Sequence, residues 1–183
     1  MQPSENRNPN KALEAELEAA DQNAPAVNPV PAPPQKFERK FLVGQLPSVI
    51  GLANGVQISH GYLAVETGGT EVRIRRTPKE ANLLLKTMAG QIPIETEVPL
   101  SRDQLAKLWP LTEGRRVSKV THQLSVADFP VTLDLFEGQL NWLRIAEVEF
   151  PNRATCEEFT PPPWFGREVT DIAAYRHSNL ARE

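Results

Sequence analysis

Glu71-Val72-Arg73-Ile74-Arg75 alternates charged and branched apolar side chains residue by residue. Successive residues of a strand face opposite sides of a sheet, so this run reads as a strand with one charged and one apolar face. Similar alternation appears in neighbouring segments, and strands are expected at 36–43, 56–66, 70–77, 82–88, 93–100, 115–125, 130–137 and 141–150. Turn-forming clusters such as Thr67-Gly68-Gly69-Thr70 and Glu137-Gly138-Gln139 separate several of them. Short helices fit Arg102 to Leu108, with Ser101 as N-cap and Gln104 three residues on, and Arg153 to Phe159 behind Asn152. The terminal segment from Thr170 to Arg182 is expected to be helical in part.

Sorting by parity gives two faces. Val72, Ile74, Leu83, Leu85, Ile94, Val98, Leu133, Leu135, Ala146, Val148 and Phe150 fall on one. Lys36, Glu38, Lys40, Glu71, Arg73, Arg75, Lys86, Glu95, Glu97, Lys119, Asp134, Glu147 and Glu149 fall on the other. Two architectures satisfy this pattern. In an open antiparallel sheet the charged face meets water. In a closed eight-stranded barrel it lines a wet channel, because unpaired charge in a dry core is too costly. In that channel the carboxylates would hold divalent cations, and the lysines and arginines would hold an anion such as phosphate. His60 and His122 are expected at the surface or rim, His177 is a candidate to cap the channel, and Tyr62 suits a channel lining or a core equally.

Several segments, in order, resemble the CYTH domain, or triphosphate tunnel metalloenzyme, family, and especially its short bacterial members. They are Glu38-Arg39-Lys40-Phe41-Leu42-Val43, Gly61-Tyr62-Leu63, Glu71 to Arg75, Lys86, Glu95-Thr96-Glu97, Trp109-Pro110 with Thr112 to Val117, Glu147-Val148-Glu149-Phe150 and Pro161 to Gly166. The resemblance covers residues 37–181 and implies a mainly β (α+β) fold, a closed eight-stranded antiparallel barrel forming a tunnel, with a few short helices. It implies phosphate-binding roles for Lys40, Arg73, Arg75, Lys86 and Lys119. It implies tunnel acids, several of them metal ligands, at Glu38, Glu95, Glu97, Asp134, Glu147 and Glu149. The implied cofactor is Mg²⁺ or Mn²⁺, and the implied ligand is a small triphosphate-type anion.

The departures from the family pattern bear on the chemistry. Lys36 stands where the family opens with Glu, Pro93 where an Arg is common, Thr121 where an Arg is expected and Thr132 where a Glu is expected. Two unit charges at about 4 Å repel by ~4 kcal/mol at an effective dielectric near 20, so a lysine beside a dication opposes metal binding. Two readings follow. The chain is a metal-dependent triphosphatase, hydrolysing tripolyphosphate or another triphosphate with weakened chemistry. Alternatively, it is a non-catalytic module that binds triphosphate, a nucleotide or polyphosphate and is recruited through its N-terminal tail.

The rest of the 183 residues frames this domain. Lys and Arg number 20 against 23 Asp and Glu, and the net charge of −3 falls in residues 1–35. Mild acidity and the lack of a basic-aromatic motif give no sign of a nucleic-acid partner. No apolar run approaches the ~18 residues of a membrane span, and the N-terminus lacks the pattern of a secretory leader, so a cytoplasmic location is the default. With Cys156 alone, neither an internal disulfide framework nor a cysteine-based zinc site can form. Five prolines between Pro25 and Pro34 mark an extended linker. Residues 1–35 are therefore expected to be a disordered Ala/Pro-rich tail, with 8–20 as a short helix able to engage a protein partner, and 36–183 the folded domain. Removing residues 1–34 should leave the melting temperature unchanged. Loss of cooperative unfolding in calorimetry would show that the tail belongs to the fold.

Overall fold

The computed structural model describes residues 37–47, 52, 54–89 and 92–181. The expected tail, the segment at 8–20 and Lys36 lie outside the described residues. Nine strands form a single antiparallel sheet: β1 (Phe37–Val43), β2 (Val56–Val65), β3 (Glu71–Arg76), β4 (Ala81–Ala89), β5 (Ile92–Pro99), β6 (Arg116–Val126), β7 (Phe129–Phe136), β8 (Arg144–Phe150) and β9 (Phe165–Glu168). Their order is β5-β4-β3-β2-β6-β7-β8-β1-β9. The mainly β class and all eight expected strands are present. The closed eight-stranded barrel is corrected to an open nine-stranded sheet. Closure would have to join β5 to the far edge of β1, but β9 takes that edge at Phe41 and Val43. Among the described residues no ladder joins β5 to β1 or β9.

The helices are short and locally determined. In α1 (Arg102–Leu108), Ser101 Oγ accepts from Gln104 N at 3.2 Å, while Ser101 N donates to Gln104 Oε1 at 2.8 Å. This reciprocal cap satisfies two donors that the first turn leaves open. In α2 (Arg153–Glu158), Asn152 caps through Thr155 N at 3.0 Å. A single turn at Ala173–Tyr175 leads into α3 (His177–Leu180).

Each face of the sheet carries its own apolar cluster. On the apolar face Phe41, Val43, Val131, Leu133, Ala146, Val148 and Phe150 pack with Phe159 and Phe165, which follow α2. On the charged face Tyr62, Val117, Phe136 and Ile145 pack with Leu140, Leu143 and, from the C-terminal segment, Leu180 and Ala181. The β4–β5 end departs from the expected pattern of burial. Leu84, on the charged face, is buried, whereas Leu85 and Val98 on the apolar face are exposed. Parity assigns a face but does not say what covers it.

One close approach ties the Trp109–Thr112 turn to β2. Thr112 is fully buried, and its hydroxyl donates to Trp109 O at 2.8 Å. A Cβ on Gly61 would fall 2.5 Å from Thr112 Oγ1. Gly61→Ala should therefore cost about 2 kcal/mol through overpacking and lower the melting temperature by roughly 6 °C. An unchanged melting curve would mean that the turn is free to move off β2.

Candidate functional site

The strand register brings the charged residues together, because directly paired residues share a face. Lys40 lies opposite Glu147, and Glu147 opposite Thr132. Thr121 lies opposite Asp134, and Glu38 opposite Glu149. On the other arm of the sheet Tyr62 lies opposite Arg73, and Lys86 opposite both Glu71 and Glu95.

The most enclosed group is Asp134, which has no exposed surface. Thr121 Oγ1 donates to its Oδ1 at 2.6 Å, and the Lys119 ammonium donates to its Oδ2. His177 Nε2 lies 3.6 Å from the same Oδ2 and 3.3 Å from Lys119 Nζ. Burial by itself raises the Asp134 carboxyl, but His177 and Lys119 outweigh it and hold the group well below the usual carboxylate range. Burial, with the Lys119 charge beside it, lowers His177 and keeps the ring neutral. The same Nε2 faces both Asp134 Oδ2 and Lys119 Nζ, and a proton on it donates to the carboxylate. His60 faces the His177 ring with centroids 5.6 Å apart, and burial holds it far below its ordinary value.

Next to this group, Lys40 Nζ lies 3.2 Å from Glu147 Oε1 and 3.3 Å from Glu38 Oε1. Burial pulls the Lys40 ammonium down, and the two carboxylates more than restore it. On the β3–β5 arm Arg73 bridges Glu71 at 3.1 Å and Glu95 at 3.0 Å, while Arg75 lies 3.8 Å from Glu80 and from Glu97. Glu95 and Glu97 are exposed because β5 is an end strand of the sheet.

Of the residues expected at the site, Lys40, Lys119, Glu38, Asp134 and Glu147 gather on β1, β6, β7 and β8. Arg73, Arg75, Lys86, Glu95 and Glu97 gather on β3, β4 and β5, and Glu149 sits on β8 opposite Glu38. Among the departures, Thr121 supports Asp134, and Thr132 pairs with Gln123 at 3.3 Å. Lys36 lies outside the described residues, as does the side chain of Pro93. Two histidines correct the sequence reading. His60 is buried on the charged face, and His122 is buried on the other face of β6. The sequence analysis placed His60 at the surface or rim and offered His177 only as a cap of the channel, not as a ligand. Parity with Ile58 and Tyr62 on β2 places His60 on the charged face. His177 is flagged only by its position between Tyr175 and Leu180, which pack into the charged-face cluster.

Asp134, Glu147 and His177 each present a ligand atom, all within 4.8 Å of one another. Two carboxylates with an imidazole suit a divalent ion that completes its shell with water and phosphate oxygens. The Lys119 and Lys40 ammoniums now occupy oxygens of both carboxylates, so they must move for a cation to bind.

No family model matches the chain. It is 39% identical over 147 residues to an inorganic triphosphatase of Nitrosomonas europaea, covering 80% of this chain and 96% of the relative. It is 30% identical over 151 residues to an inorganic triphosphatase of Acetivibrio thermocellus, covering 81% and 94%. A crystal structure of an inorganic triphosphatase superposes with a TM-score of 0.67 at 37% identity, covering 81% of this chain and 95% of that one. The match takes in nearly the whole length of both relatives. The chain belongs to the CYTH, or triphosphate tunnel, family, in the branch of short inorganic triphosphatases.

His60 and His177 give the fold a pH signature. Both are lowered in the fold and regain an ordinary pKa of about 6.5 on unfolding. The unfolded chain thus binds more protons below that value, so stability is full above about pH 6.5 and falls as pH drops below it. The Asp134 contribution is lost only below about pH 3.9. The melting temperature should fall between pH 7 and 5, and His60→Gln should flatten that fall. An equal slope in the variant would show that His60 is protonated in the folded state.

Proposed function

We propose that this chain binds a linear triphosphate on the charged face of its sheet and hydrolyses it to phosphate and pyrophosphate, more slowly than a typical enzyme. The observation that carries the reading is the array itself: Lys40, Lys119 and Arg73 stand ready to hold phosphate oxygens, each now held by carboxylates. The charged face of the sheet would act as the wall of a tunnel, with the C-terminal segment packed against one part of it.

A triphosphate carries the charge that Lys40, Arg73, Arg75, Lys86 and Lys119 would bind. As their ammonium and guanidinium groups turn to phosphate, the released carboxylates need a new cation. Asp134 and Glu147, with His177, would hold it, and Glu38, Glu95, Glu97 and Glu149 are further acids of the same face. A divalent ion, Mg²⁺ or Mn²⁺, held there would supply charge neutralisation and lower the pKa of a nearby water. In the hydrolysis a water oxygen bonds to the terminal phosphorus, the bridging P–O bond breaks, the proton of the water passes to solvent, and pyrophosphate leaves. The lysines and arginines stabilise charge on the phosphoryl oxygens as this happens.

Two observations favour weakened chemistry. Thr132, beside Glu147, supplies no carboxylate, and Thr121 supplies a hydroxyl to Asp134 rather than a cation to phosphate. The assay is phosphate release from tripolyphosphate by the full chain with Mg²⁺ or Mn²⁺, and again with EDTA. Metal-dependent release below a typical ~10 per second is expected, with at least a tenfold gain in Thr132→Glu. Wild-type turnover at that typical rate would refute the weakening. Binding of tripolyphosphate with no release under any metal would establish the non-catalytic reading instead.

A further inference from the structure

Tyr62 is 1% exposed, and its ring packs among Val117, Phe136 and Ile145. Its hydroxyl is buried with no hydrogen-bond partner among the described residues. Arg73, directly across the β2–β3 ladder, has the same defect in part. Its Nη1 and Nη2 donate to Glu71 and Glu95, while its buried Nε has no acceptor. Buried polar groups without partners are rare and costly. The phenol oxygen of Tyr62 faces Arg73 and can accept from its Nε, so what the pair lacks is an acceptor for the Tyr62 hydroxyl proton.

The surroundings define that acceptor. Burial raises the Tyr62 phenol well above its ordinary value, so it stays protonated and can donate. The oxygens of Glu71 and Glu95 that approach this pair are already engaged by the Arg73 amino groups. A cavity of about 80 Å³ opens at Tyr62, lined also by Val65, Arg115 and Ser178. It adjoins a larger one of about 270 Å³ that shares Val65 and Ser178 and reaches Glu71 and Arg176. The space therefore exceeds that of a single water.

We infer that the Tyr62 hydroxyl, its oxygen turned to Arg73, donates its proton to one phosphoryl oxygen of the bound triphosphate, making Tyr62 a substrate-binding residue of the site. The inference rests on the proposed triphosphate binding and adds to it a neutral donor fixed in the core rather than a mobile cation.

The test is Tyr62→Phe in the full chain, probed with tripolyphosphate by titration calorimetry and thermal shift, in EDTA and in Mg²⁺. Removing an unsatisfied hydroxyl while keeping the ring should leave the ligand-free melting temperature equal or higher. Affinity for tripolyphosphate should fall about tenfold, the loss of one hydrogen bond to a charged group. Unchanged affinity would overturn the inference and assign the hydroxyl to a water. A lower ligand-free melting temperature, with or without weaker binding, would also overturn it, because the hydroxyl would then be serving the fold. If the wild-type chain fails to bind tripolyphosphate in either condition, the underlying reading fails first and this inference falls with it.

Discussion

A carboxylate with no exposed surface sets the terms for this protein. Asp134 stays charged at neutral pH only because Lys119 and Thr121 donate to its two oxygens, with His177 beside them. Isolated charge cannot be buried at tolerable cost, so the ammonium of Lys119 and the seat of His177 are conditions of the fold as much as parts of a site. His177 in turn leads α3, whose Leu180 completes the apolar cluster on this face. The charged centre and the packing of the C-terminal segment are one arrangement.

The same logic extends outward with falling burial. Lys40 is shared by Glu38 and Glu147, and Arg73 by Glu71 and Glu95. Arg75 and the β5 acids are nearly in solvent, where ion pairs contribute little. Each pair joins a group suited to phosphate with one suited to a cation. Such a face is stable as it stands, yet can exchange its internal partners for a polyanion and its counter-cation together.

Much of this was legible because antiparallel pairing has a period of two. Once Glu71 to Arg75 is a strand, parity puts Arg73, Lys86 and Glu95 on one face, and the ladders supply the register that sets Arg73 beside Tyr62 and Lys86 beside Glu95. The motifs from Glu38 to Gly166 carry the family resemblance in the same way, through local sequence. What parity could not reveal depended on contacts distant in sequence. The four-residue β9 follows Pro161 to Pro163 and is defined by its pairing to β1 and the Arg39–Glu168 ion pair at 2.7 Å, not by its own pattern. With that pairing the sheet, among the described residues, has nine strands rather than eight. His177 stands 43 positions from Asp134, and nothing local marks it as a neighbour. His122 looked like a surface residue because its cover lies across β6, where a Cβ on Gly55 would meet its ring at 2.5 Å.

A double-mutant cycle on Lys119 and Asp134, by urea unfolding near pH 7, tests the buried pair most directly. Lys119→Met and Asp134→Leu should each cost about 3–5 kcal/mol by stranding the other charge, while the double variant should cost far less than their sum. Additive losses would contradict this, showing that the two groups are solvated separately and that the charged face is not held together by its own pairs.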